Sequence, residues 1–384
     1  MDGPFKVNGI AVPYLVDFSG GTFSVNVTGF PPLPLSSALK FNNDFDPQHF
    51  EVHLLYSPGV VEGESKMVFH RESNKRIGWI IPVSALDSNL HIYKDDVHFL
   101  KYAYLAAKAC LETEWASINY NDVDIGLAQS LVLSDIFPDF TAVLVISLKT
   151  LTEGAEFDMS RAVPSLMANG YIPLGREPSG LYDWGFDRAS KVTVEMVSPV
   201  PNEFLVINNL LRAFARAKDE PVLQFFFLYQ IVELLIERVM RCEYAEVASR
   251  IISAGQDSSK LKAAIDGVGK SVSEAERLKL LNSKYVKTSV DTVQLDLLCG
   301  NFLDSIGRTV AAGYKKPTAG LHGCLYQVRN AIFHGFRDVP AAAIDALKDV
   351  VKELLVIISQ VLSRYQSPDG SSAEEPVACA GEEK

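Results

Sequence analysis

Residues Leu321–Arg337 read LHGCLYQVRNAIFHGFR, and within this short run Tyr326, Arg329, Asn330, His334 and Arg337 gather a phenol, an amide, an imidazole and two guanidinium groups. Set on a helix at about 100° per residue, Leu321, Leu325, Val328 and Ile332 fall on one apolar stripe, with spacings of four, three and four. Tyr326, Asn330 and His334 then form a ladder on the opposite side, followed by Arg337. Arg329 sits on the flank, where its long side chain can reach round to the ladder. Histidine is the side chain suited to proton transfer near neutral pH. Arginine offers a permanent charge and a planar fork for phosphate oxygens. Such a set fits metal-free cleavage of RNA. That chemistry needs a group to take the 2′-hydroxyl proton, a group to protonate the leaving oxygen, and positive donors for the crowded phosphate.

The run Arg329-Asn330-Ala331-Ile332-Phe333-His334 resembles the motif of the HEPN superfamily (higher eukaryotes and prokaryotes nucleotide-binding): arginine, a polar residue, a few residues, then histidine, late in an all-α bundle. Tyr326 before it and Gly335 after it resemble the Apea-like group of bacterial defence proteins. The resemblance covers roughly residues 202–365. It implies that Arg329, Asn330 and His334 form the catalytic set of an endoribonuclease, leaving a 2′,3′-cyclic phosphate and a 5′-hydroxyl. It also implies Tyr326 and Arg337 in support, a homodimer that brings two motifs across one cleft, and a growth-arrest, toxin or antiviral role. The resemblance calls for no cofactor and no metal. Some HEPN-like domains are non-catalytic RNA-binding or dimerisation modules, which is the alternative. Phe336 stands where some HEPN toxins carry a tyrosine modified by a partner nucleotidyltransferase; it has no hydroxyl to modify, so that mode of silencing is not expected.

A second polar stripe, Gln230, Glu233, Glu237 and Arg241, runs along an otherwise apolar segment. A carboxylate among Leu234, Leu235 and Ile236 is costly unless paired. Either Glu233 orients Arg329 or Asn330, or Glu237 pairs with Arg241 and Glu233 stays exposed. Other patterns have plainer explanations. Ala264–Ser271 satisfies a relaxed P-loop, but the polar run 257–263 before it makes no strand. Ser271 and Glu274 read as a capping box opening a helix. Phe225-Phe226-Phe227 reads as core packing, not a base-stacking platform. Gly-x-Ser-x-Gly, Cys-x-x-Cys and His-Glu-x-x-His are absent.

The elements that must position these residues divide in two. Residues 1–200 show short alternating or apolar runs at Phe23–Val27, Phe50–Tyr56, Met67–His70, Ile77–Pro82, Thr141–Leu148 and Lys191–Met196. They also show helices over Val97–Leu111 and Ser160–Ala168, the latter kinked or delayed by Pro164. This is an α+β pattern with a mainly antiparallel sheet and an unassigned sensing, regulatory or recruiting role. His49, His53, His70, His91 and His98 lack metal-ligand spacing and read as surface or packing residues. Residues 201–366 read as an all-α bundle: Asn202–Lys218, Pro221–Ser253, Lys260–Ala264, Ser271–Tyr285, Val293–Ala312, Thr318–Gly335 and Pro340–Tyr365. Residues 367–384 read as a disordered acidic tail.

The 384 residues carry a net charge of −11, unevenly spread. Residues 1–200 hold 14 Lys+Arg against 24 Asp+Glu, whereas residues 201–366 hold 21 against 18, a net +3. The helical part is therefore the part able to meet a polyanion. Five scattered cysteines suggest reduced thiols, and the sequence MDGPFKVNG lacks the marks of a signal peptide. No apolar run suits a membrane span, so a cytoplasmic protein is expected. If Glu233 serves the motif, Glu233→Ala lowers RNA cleavage by a folded protein; full activity in that variant removes Glu233 from the site.

Overall fold

The computed structural model describes residues 3–57, 64–151, 157–173, 191–197, 203–217, 219–270, 273–308, 319–335 and 339–366, with the side chains at 117, 266–270 and 334–335 outside that description. The expected tail, 367–384, also lies outside the described residues, as does Arg337. The chain is α+β and divides into two compact units, Met1–Met196 and Val197–Lys384.

The first unit opens with β1 (Phe5–Val7), β2 (Ile10–Ala11), β3 (Tyr14–Ser19), β4 (Thr22–Val27) and β5 (Leu33–Pro34). β3 and β4 form a hairpin closed by Gly20-Gly21, both at positive φ (60° and 81°), as a tight two-residue turn requires. Then come β6 (Phe50–Tyr56), β7 (Lys66–His70), β8 (Lys75–Pro82), α1 (Val83–Asp87), α2 (Val97–Leu111), β9 (Val123–Asp124), α3 (Leu133–Ile136), β10 (Thr141–Ser147), α4 (Met159–Ala168), β11 (Ile172–Pro173) and β12 (Lys191–Val194). Six of these make the main sheet, in the order β11-β6-β10-β8-β7-β12. Every pair is antiparallel except β7–β12.

β10 is buried at all seven positions because both faces of the sheet are covered. Val143 and Val145 join a core containing Phe99 and Ala103 of α2. Ala142, Leu144 and Ile146 join the opposite core, with Ala162 and Leu166 of α4. Pro164 does not delay α4; it lies inside the helix, which starts at Met159 under an Asp158 cap. The β7–β8 register slips between Val68 and Phe69, and the bulge puts Ile77 in the same core as Ile80. His91 is a packing residue, buried, stacked on Phe99 at 4.4 Å and bonded to Ser65 Oγ at 2.8 Å.

The second unit comprises α5 (Phe204–Arg216), α6 (Pro221–Ala254), α7 (Ser258–Lys270), α8 (Glu274–Lys284), α9 (Val293–Ser305), α10 (Tyr326–Gly335) and α11 (Ile344–Arg364). α6 is the axis: 34 residues long, it starts on Pro221, where a missing N–H costs nothing, and packs against α5, α7, α8 and α11. Four expectations change. α7, expected only over Lys260–Ala264, runs unbroken to Lys270, so residues 264–270 of the rejected P-loop-like pattern are helical. The cap of α8 is Ser273, accepting from the Glu276 amide; Ser271 is outside the described residues and Glu274 is free for another task. α9 ends at Ser305. Of the three consecutive phenylalanines only Phe225 is fully buried, while Phe226 is 37% exposed, because three neighbours on one helix cannot share a face.

A Cβ at Gly78, in the centre of β8, would overlap the Val145 carbonyl oxygen of β10. Gly78→Ala is expected to cost about 3 kcal/mol, read as a lower urea midpoint by tryptophan fluorescence; an unchanged midpoint contradicts this packing.

Candidate active site

The motif helix is launched by a turn the apolar periodicity does not reveal. Leu321–Leu325 is a π turn, and α10 begins only at Tyr326. Gly320 enters the turn at φ 95°, a backbone region open to glycine. Its amide donates to both carboxylate oxygens of Asp296 on α9, at 2.9 and 2.8 Å. The expected stripe survives this change: Leu321, Leu325, Val328 and Ile332 are all buried. Cys324, in the same turn, has its thiol pushed up to about 11 by burial and by the neighbouring Asp296 carboxylate, so it is a packing group, not a nucleophile.

On α10, Tyr326, Arg329 and Asn330 are half-buried. His334 lies on the same helix, with its side chain outside the described residues. Arg329 Nη1 donates to Asn330 Oδ1 at 3.1 Å, so the two motif residues meet. The rest of the guanidinium turns towards two carboxylates on different helices. Nη2 is 3.7 Å from Glu233 Oε1 of α6, and Nε is 3.8 Å from Glu274 Oε1 of α8. These are ion pairs beyond hydrogen-bond reach, and Nε is a buried donor with no hydrogen-bond partner. The cation also lies over Phe333 and Tyr229, its Cζ 5.0 and 5.9 Å from their ring centroids.

Both carboxylates are themselves held. Gln230 Nε2 donates to Glu233 Oε2 at 2.5 Å, and the Tyr229 hydroxyl donates to Glu274 Oε1 at 2.5 Å. Tyr229 is completely buried, and burial together with the Glu274 carboxylate raises its phenol well above the usual range. The phenol therefore stays protonated and remains a donor. Of the second reading of the α6 stripe only the pair survives: Arg241 meets Glu237 at 2.5 Å, but Glu233 is half-buried and faces Arg329 instead of standing exposed.

Glu274 and Tyr229 were not among the expected site residues. The sequence signal for them is the phenol itself: a buried tyrosine in an apolar run needs a partner for its hydroxyl. Among the described residues no group of three or more His, Cys, Asp or Glu side chains is placed to hold a metal ion.

The chain matches no protein-family model, no curated protein and no solved structure.

Asp296 joins the site to its support. Asp296→Ala removes the acceptor of the Gly320 amide and should lower stability by about 2 kcal/mol. Urea unfolding followed by circular dichroism checks this, and a variant as stable as the parent contradicts the anchoring role.

Proposed function

We propose that the protein is a metal-independent endoribonuclease acting in the cytoplasm, with its site on α10 of the second unit. The observation that carries this reading is the setting of Arg329. Its guanidinium is 20% exposed, donates to Asn330, is steered by Glu233 and Glu274, and shares a helix with His334 five residues on. A half-buried, preorganised guanidinium supplies charge where a pentacoordinate phosphate gains it. His334 supplies proton transfer. The 2′-hydroxyl loses its proton as its oxygen bonds phosphorus, the bond to the 5′-oxygen breaks, and that oxygen takes up a proton. The products are a 2′,3′-cyclic phosphate and a 5′-hydroxyl. One imidazole per motif serves one proton transfer at a time, which favours a homodimer with two motifs facing one strand. Tyr326 and Arg337 support the site, and the first unit senses, regulates or recruits. A defence or toxin role follows from the resemblance to HEPN proteins.

A second reading, a non-catalytic RNA-binding or dimerisation module, is favoured by one observation: two carboxylates flank a single guanidinium, so its charge is already balanced. Incubation of the purified protein with RNA separates the two. Cleavage that persists in EDTA, with the expected end groups, and at least a hundredfold loss in Arg329→Ala and His334→Ala (about the weight of one acid–base group), is the expected result. Strict dependence on magnesium, or motif variants that cut normally, contradicts it. Growth arrest on expression, relieved by His334→Ala, also belongs to the enzyme and not to the module.

A further inference from the structure

Phe226 of α6 and Phe333 of α10 are each 37% exposed. Their rings stack on one another, 5.7 Å between centroids with 28° between planes. Phe333 also carries the Arg329 guanidinium 5.0 Å from its ring centre. Two accessible aromatic rings and a cation thus form one continuous strip on rigid helices. The strip rests on a buried floor, where Phe225 and Tyr229 stack at 5.7 Å and 18° and Tyr229 lies 6.3 Å from Phe333. Proton transfer and phosphate contact at Arg329 and His334 do not require this exposed pair.

The donor inventory of Arg329 says what belongs beside it. A guanidinium has five N–H groups. Nε and one side of Nη2 are turned to Glu274 and Glu233, and one N–H of Nη1 goes to Asn330. That leaves one N–H on each terminal nitrogen as a donor for phosphodiester oxygens. A stacked ring pair with a guanidinium over one ring matches a nucleotide, with its base on the phenylalanines and its phosphate on the arginine. Base–aromatic stacking tolerates any base because each has a π-face, and an adjacent arginine adds to it. Bases inside an A-form duplex do not present those faces.

We propose that Phe226 and Phe333 form a base-stacking subsite that takes an unpaired nucleobase beside Arg329. Its phosphate half rests on the ribonuclease reading above.

The test uses the full chain and an uncleavable probe, a short fluorescein-labelled 2′-O-methyl oligoadenylate, as a single strand and paired with its complement. The strand should bind more tightly than the duplex. Phe226→Leu and Phe333→Leu, which keep apolar bulk but lose the ring, should each weaken strand binding about tenfold. Phe226→Tyr should restore it. Equal binding by the leucine variants and the parent overturns the subsite, as does a parent that ignores the strand. Leucine variants that fall apart into monomers while keeping parental affinity for the strand assign the rings to contact between copies instead, and overturn it too. If the strand binds through the rings but native RNA is never cut, the subsite stands and the nuclease reading falls. If RNA is cut at rates and KM values indifferent to both rings, the nuclease stands and the subsite falls.

Discussion

A guanidinium held between carboxylates from two helices is the constraint on which the second unit's site depends. Arg329 is too enclosed to be left alone, since an unpaired charge in such a place is costly. Glu233 and Glu274 answer that cost from α6 and α8, and Tyr229 and Gln230 hold the carboxylates in turn. The partners are only partly buried, so solvent screens the pairs and their net worth is smaller than for a fully buried bridge. What the arrangement secures is direction. The cation sits over the rings of Phe333 and Tyr229, with Nη2 beside Glu233 and Nε beside Glu274.

That arrangement also sets the electrostatic character of the site. Two carboxylates against one guanidinium make the immediate surroundings acidic, within residues 201–366, whose overall balance is only slightly basic. A phosphate approaching Arg329 gains from directed hydrogen bonds more than from a broad positive field. Binding of this kind leans on shape and stacking, and the aromatic strip of Phe226 and Phe333 lies where it can supply them. In the first unit, the central strand β10 is covered on both faces by apolar cores of that unit.

Much of this was legible wherever the signal is local. The period-two run of β4, the all-apolar β10, the length of α6 and the buried stripe Leu321–Ile332 follow from neighbours a few residues apart. Glu233 was also within reach, because a carboxylate among leucines asks for a partner. The remainder depends on contacts that no local window contains. Tyr229 and Glu274 are 45 residues apart, and Ser273 capping α8 left Glu274 available to meet the phenol. The π turn depends on Asp296 receiving the Gly320 amide across 24 residues. The Phe225–Phe227 run looked uniform, yet helical geometry sent Phe226 to the surface beside the motif.

The central claim is that Glu274 and Arg329 are energetically coupled. The direct measurement is a double-mutant cycle with Glu274→Gln and Arg329→Met, unfolded in urea and followed by the far-ultraviolet circular dichroism to which the helices of the second unit contribute most. A coupling energy of about 1–2 kcal/mol is predicted. Effects that simply add, to within about 0.3 kcal/mol, would mean that the arginine is not held by this carboxylate, and would contradict the account.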